Sequence, residues 1–194
     1  MSRPLPPARG HRKMRALLVV DMQVGCFAGE PPRADQEGTV LRINALAGAI
    51  RPKGMVVFVQ HTDEEEGLAR GSGAWQLLPA LNRAPGDETV EKTGCDSFLE
   101  TRLDGLLRTR GVTDLVIVGC ATDFCVDTTV RTAAALGYGV TVPGDGHTTR
   151  DRPHLSAAQI IVHHNYMWAD LLLPRRRRVR VTPTGALISE LRND

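Results

Sequence analysis

The sequence predicts an α/β fold: a doubly wound, mostly parallel sheet with helices on both faces. Three observations carry that reading. Short apolar runs alternate along the chain with segments of helical periodicity, the runs are rich in β-branched residues, and several deliver a polar or ionisable residue at the carboxyl end. A run that is apolar at every position suits a strand buried on both faces of a parallel sheet, and strand–helix alternation is the signature of βαβ units. With 194 residues and 42% hydrophobic content, the chain is long enough for one well-buried core, so residues 16–194 read as a single domain.

Residues 1–15 hold three prolines, five basic residues and one leucine, too little apolar surface to pack, and are expected to form a disordered basic arm. Met14 stands where a shorter chain would start. Ala16–Val20 is the first buried strand and ends at Asp21, followed by Met22 and Gln23. A loop over 24–36 contains Gly25, Cys26, Phe27 and Gly29. Val40, Ile43, Leu46, Ala47 and Ile50 then recur at helical spacing over 37–50. Met55–Val59 is the second strand and leads to Gln60 and His61. Residues 62–87 lack periodicity and are rich in glycine and proline, as in a lid or pocket wall; Trp75 within them reads equally as a closing side chain or as a core anchor.

Thr89–Glu91 is a short strand ending at Lys92. Asp96 or Ser97 caps a predicted helix that reaches Arg110 with Phe98, Leu99, Leu103, Leu106 and Leu107 inward, and Gly111 stops it. Leu115–Val118 is the central strand. It breaks at Gly119, and a helix follows from Asp127 with Val126, Val130 and Ala133 in one stripe. Tyr138–Val142 is a further strand, and His147, Thr148 and Thr149 form a polar loop beyond it. Residues 155–173 read as one long helix, and Val179–Thr182 with a helix from Thr184 completes the chain. The run Arg175–Arg178 reads as a solvated connector.

The formal net charge is +2, from 24 basic and 22 acidic residues, so no overall field draws the chain to nucleic acid or to a membrane. No apolar run approaches the ~20 residues of a membrane span. Four cysteines form neither a C-x-x-C pair nor a disulfide-rich pattern, and no apolar signal segment is visible, which points to a reducing cytoplasm.

Asp21, Lys92 and Cys125 each follow a predicted strand, and parallel strands bring their carboxyl ends to one edge. A carboxylate can take the proton of a thiol while an ammonium holds the thiolate, and a helix N-terminus at Cys125 adds partial positive charge that favours thiolate and a backbone N–H for an oxyanion. The competing readings are a structural Asp–Lys pair beside an inert cysteine, or a thiol redox or sensing protein using Cys125 and Cys120.

The segments VVDMQ (19–23), EKTGCDSF (91–98) and GCATDFCVDTTVRTAAALGY (119–138) together resemble the isochorismatase-like cysteine hydrolases, over Ala16 to about Asn165. The resemblance implies a Rossmann-like six-stranded sheet and hydrolysis of a C–N amide or lactam bond. It also implies Asp21 as base and acid, Lys92 as electrostatic partner and Cys125 as nucleophile. A cis peptide between Cys120 and Ala121 is implied as well, with the Ala121 and Cys125 N–H groups as oxyanion hole. Nicotinamidases of the family carry an aspartate and two or more histidines after the second strand, whereas Gln60–Asp63 offers only His61, so neither a metal nor another cofactor is expected. Isochorismatase itself lacks the thiol, and Cys125 therefore favours amide chemistry. Residues 146–165 resemble a subgroup that includes streptothricin hydrolase, a lactam-opening enzyme. Gln23, Phe27, His61, Trp75, Phe124 and His147 are the expected substrate-binding wall, and its apolar, aromatic character suggests a small neutral or cationic amide or lactam. The cluster of apolar and aromatic residues on the 155–173 helix predicts a homo-oligomer, at least a dimer.

Overall fold

In the computed structural model, which describes residues 14–193, a parallel sheet is packed between two helical layers. The expected arm lies outside the described residues except for Met14 and Arg15, which already belong to the first strand. In chain order the strands are β1 (Met14–Val20), β2 (Met55–His61), β3 (Glu88–Lys92), β4 (Val112–Cys120), β5 (Gly139–Pro143), β6 (His147–Thr148) and β7 (Arg180–Thr182). The helices are α1 (Val24–Phe27), α2 (Gln36–Ile50), α3 (Leu103–Thr109), α4 (Asp127–Ala135), α5 (Ala157–Ala169) and α6 (Thr184–Asn193). Among the described residues no helix is long and apolar enough to cross a membrane.

Strand order is β3-β2-β1-β4-β5-β7, with every pairing parallel. The sheet has seven strands rather than six because residues 147–148, expected as loop, form β6. It pairs with Gly119 and Cys120 beyond the point where β5, paired at Asp114–Val116, has left β4. The strands alternate as a sheet buried on both sides must. Ala16, Leu18 and Val20 join α3, α4 and α5 in one core, while Leu17 and Val19 join α2 and α6 in the other.

Two predicted helices are shorter in the structure. The segment before α3 turns through Phe98–Arg102, where Glu100 adopts a left-handed φ of 54°, so regular helix starts only at Leu103. α5 starts after Ser156, whose side chain accepts from the Gln159 N–H while Gln159 reaches back to the Ser156 N–H, a reciprocal cap that fixes the N-terminus.

The chain steps from β1 outward to β2 and β3 and then crosses to the other side of β1 for β4. The crevice between the carboxyl ends of β1 and β4 is therefore the topological switch point, where open α/β sheets bind ligands. Gly119 is needed there: its φ is 122°, and a Cβ at this position would stand 2.1 Å from the Val20 carbonyl oxygen.

Candidate active site

Three elements deliver ionisable groups to the switch point. Asp21 leaves β1 with a left-handed φ of 49°, while its N–H still donates to the Val59 carbonyl at 2.9 Å. A non-glycine residue held there costs on the order of 1 kcal/mol, tolerated most readily by Asp and Asn. Lys92 ends β3. Cys125 lies in a single π-helical turn, Thr122–Val126, inserted between β4 and α4 rather than in the first turn of α4 itself. Wide turns of this kind occur frequently at functional sites. The peptide joining Cys120 to Ala121, just before the turn, is cis.

The Lys92 ammonium ties the group together. It is buried and donates to Asp21 Oδ2 at 2.7 Å, to the Gly94 carbonyl at 3.0 Å and to Cys125 Sγ at 3.4 Å. Burial alone would lower its pKa, but the Asp21 charge and the Cys125 sulfur outweigh it and the net shift is upward, so the side chain stays cationic. His61 Nδ1 stands 3.4 Å from Nζ. Burial, then the Lys92 charge, lowers the His61 pKa, which leaves a neutral ring beside the ammonium. The second Asp21 oxygen, Oδ1, is buried with no hydrogen-bond partner among the described residues.

The thiol departs from the sequence reading. Burial first, and the Asp21 charge second, push the Cys125 pKa well above that of an ordinary cysteine, and Lys92 pulls the other way without prevailing. Cys125 is therefore a protonated thiol at rest, next to a carboxylate with a free oxygen, instead of a preformed thiolate.

The turn carrying Cys125 is anchored on both flanks. Thr122 Oγ1 meets His147 Nδ1 at 2.9 Å, and His147 Nε2 meets Asn165 Oδ1 at 3.0 Å. Burial lowers the His147 pKa to about 4, so this bridge is neutral. Asp123 accepts from Thr149 Oγ1 at 2.6 Å and from Arg152 Nε at 2.8 Å. Burial pushes its carboxyl up, yet those two hydrogen bonds more than offset it and hold the pKa below the usual range.

Of the expected substrate wall, the structure exposes part and buries part. Phe124 is 51% exposed beneath the Arg152 guanidinium, whose carbon lies 4.9 Å from the ring centre, and Phe27 is half-buried under Arg33 at 5.3 Å. Gln23 is wholly buried with its amide committed to main chain: Nε2 donates to the His61 and Trp75 carbonyls at 2.9 and 3.0 Å, and Oε1 accepts from the His61 N–H at 2.7 Å. His147 is likewise buried, as described. Neither side chain is exposed. Trp75 is part-buried and tied to its own loop, its Nε1 donating to Thr62 Oγ1 at 2.9 Å and its carbonyl also accepting from Gln60. The loop around it packs Leu68, Leu78 and Leu81 into the molecule. Arg33 and Arg150, which meet in an antiparallel bridge between two loops, went unmarked by the sequence because aperiodic loops give no signal of what they approach.

The model of the isochorismatase domain matches residues 15–165. Streptothricin hydrolase of Streptomyces noursei is 34% identical over 150 residues, covering 76% of this chain but 60% of the relative, and a second such protein is covered over 51% of its length. The chain thus spans little more than half of these relatives. Ureidoacrylate amidohydrolase of Variovorax paradoxus is 32% identical over 176 residues, covering 71% and 69% of the two chains. Among solved structures, an isochorismatase family protein superposes with a TM-score of 0.79 at 36% identity, covering 87% of this chain and 97% of the other. A cysteine hydrolase from Pseudomonas syringae superposes with a TM-score of 0.81 at 25% identity over 100% of this chain and 99% of the other. Sequence match, sheet order and the position of the site at the switch point agree: the chain belongs to the isochorismatase domain family.

Proposed function

We propose that the protein is a metal-independent cysteine amidohydrolase that cleaves a C–N bond of a small amide or lactam through an acyl-enzyme on Cys125. The observation that carries this reading is the Lys92 ammonium bridging Asp21 Oδ2 and Cys125 Sγ while Asp21 Oδ1 has no partner. The names of the relatives, streptothricin hydrolase and ureidoacrylate amidohydrolase, support amide chemistry without fixing the substrate.

In this mechanism the thiol proton passes to the Asp21 carboxylate as sulfur bonds to the substrate carbonyl carbon. The oxyanion that forms is held by the N–H groups of Ala121 and Cys125. Asp21 then gives the proton to the departing nitrogen and the C–N bond breaks, leaving a thioester. Water attacks that thioester as Asp21 takes one of its protons. The C–S bond breaks, the acid departs, and the proton returns to the sulfur, so amide plus water gives acid plus amine. Lys92 stays charged throughout and compensates the negative charge that moves between Asp21 and the sulfur.

A screen of amides, ureides and lactams for amine or acid release identifies substrates, and Cys125→Ala is expected to abolish turnover of every one of them. Undiminished turnover in that variant refutes the proposal.

A further inference from the structure

Resting on the amidohydrolase reading, we infer that His147 is a positioning residue for the nucleophile: through the Thr122 hydroxyl it fixes the first residue of the π turn, and with it the aim of the Cys125 thiol. The ring is buried, and its polar contacts among the described residues are Thr122 Oγ1 at 2.9 Å and Asn165 Oδ1 at 3.0 Å, neither of them a reacting group. A buried histidine with two partners can be ordinary core. This one differs in that each proton along the chain of bonds has a single place, and in where the chain ends.

The order of donors is forced from one end. The Gly144 carbonyl can only accept, so the atom that faces it at 2.9 Å is the Asn165 amide nitrogen, and this turns Asn165 Oδ1 towards the imidazole. That oxygen can only accept in its turn, so His147 carries its proton on Nε2. Burial keeps the ring neutral, which leaves Nδ1 as an acceptor for the Thr122 hydroxyl. The hydroxyl of a fully buried threonine is thereby held in one orientation.

The chain of bonds ends where the turn begins. Thr122 follows Ala121, whose carbonyl accepts from the N–H groups of Phe124 and Val126 at 3.1 Å each, so these two residues are the base on which the turn carrying Cys125 is wound. His147 is itself held by main chain, since β6 pairs it with Gly119. Thr149 Oγ1 donates to Asp123 at 2.6 Å, so residues 147 and 149 hold successive residues of the turn, and Trp168 Nε1 holds Asp127 at its far end at 2.7 Å. An apolar side chain at 147 would fill the space but leave the Thr122 hydroxyl unpaired and free to rotate. A misplacement of about 1 Å at a reacting group can cost about a hundredfold in rate.

Long-range proton–nitrogen correlation NMR on histidine-labelled protein reads the tautomer directly. His147 is expected to be neutral near neutral pH with its proton on Nε2, and a proton on Nδ1 overturns the inference. Function is read with p-nitrophenyl acetate, which acylates a reactive thiol and releases p-nitrophenolate, after subtracting the release seen in Cys125→Ala. Thr122→Val, which keeps the branched shape and removes the hydroxyl, is expected to slow saturated release at least about tenfold while the half-saturating concentration changes less than about twofold, and Thr122→Ser to recover most of the rate. His147→Gln keeps a donor for Asn165 but lacks the acceptor for Thr122. Because it and Thr122→Val break the same bond, combining them is expected to cost no more than one alone. Unchanged release in Thr122→Val, a loss confined to the half-saturating concentration, no recovery in Thr122→Ser, or losses that multiply in the double variant overturns the inference; the Thr122 pair decides alone if His147→Gln does not fold. Failure of the hydrolase reading shows differently, as wild-type release no faster than that of Cys125→Ala, and takes the inference with it.

Discussion

At the Asp21 carboxyl one oxygen is held by Lys92 at 2.7 Å and the other has no partner, beside a thiol whose proton burial and the Asp21 charge both retain. Two outcomes follow for Asp21→Asn. Turnover should fall by about 10²–10⁴, the usual worth of a positioned general base. Alkylation of Cys125 by iodoacetamide at neutral pH should accelerate, because removing the carboxylate charge lowers the thiol pKa. In the unchanged protein the sign is opposite: a raised pKa means little thiolate near pH 7, so alkylation of Cys125 should be slow there and climb only at higher pH than for a free thiol of pKa about 8.5. Peptide-resolved mass spectrometry across a pH series reads both effects, and fast alkylation at pH 7 would contradict them. Asp21, Lys92 and Cys125 were legible in the sequence because each stands at or just beyond the end of a strand, and parallel strands share an edge. The protonation state of the thiol was not legible, since it depends on burial by residues distant in sequence. For the same reason Gln23 and His147 read as pocket wall although their polar atoms are committed inside the protein.

Among the elements, β1, β2 and α2 match the sequence reading closely, because β-branched runs and a clear apolar stripe leave little choice of structure, whereas β4 extends at both ends beyond the expected Leu115–Val118 and runs through Gly119 to Cys120. The misread segments were those fixed by contacts rather than by pattern. β6 exists only because Gly119 and Cys120 offer an open ladder where β5 has departed, and α3 is short because Glu100 turns the chain. At Gly119 the β1 and β4 backbones leave no room for a side chain. Gly119→Ala would bring a Cβ to 2.1 Å from the Val20 oxygen at a φ of 122°, forcing apart the two strands that position Asp21 and Cys125. A loss of about 2–4 kcal/mol is expected, within the range for strain at a special backbone conformation, read as a lowered urea midpoint. Turnover should fall with it. An unchanged midpoint would mean the strands can separate freely.

Over the whole molecule, the two helical layers are covered unequally. α6 packs with α2 on one face, so the C-terminal helix does not fold over α5. Trp168 on the inner side of α5 is fully buried, its Nε1 donating to Asp127 at 2.7 Å, whereas Val162, Tyr166 and Leu172 are 69%, 68% and 81% exposed. Exposed apolar side chains one helical turn apart, as Val162 and Tyr166 are, are expected to mark an interface, and two-fold pairing is the commonest way to cover one. Light scattering is expected to give at least twice the 21.1 kDa chain mass, and Val162→Asp with Tyr166→Asp to return it to one chain; a wild-type monomer would contradict this. The proposed mechanism has carboxyl ends gathered at one switch point and a π turn presenting a thiol serve one event, the acylation of Cys125. Intact-mass spectrometry of the enzyme quenched during turnover of a slow amide substrate tests it most directly. The account predicts a mass gain equal to the acyl group, mapped by peptide analysis to Cys125 and absent from Cys125→Ala, whereas turnover with no adduct on Cys125 under any quench would contradict it.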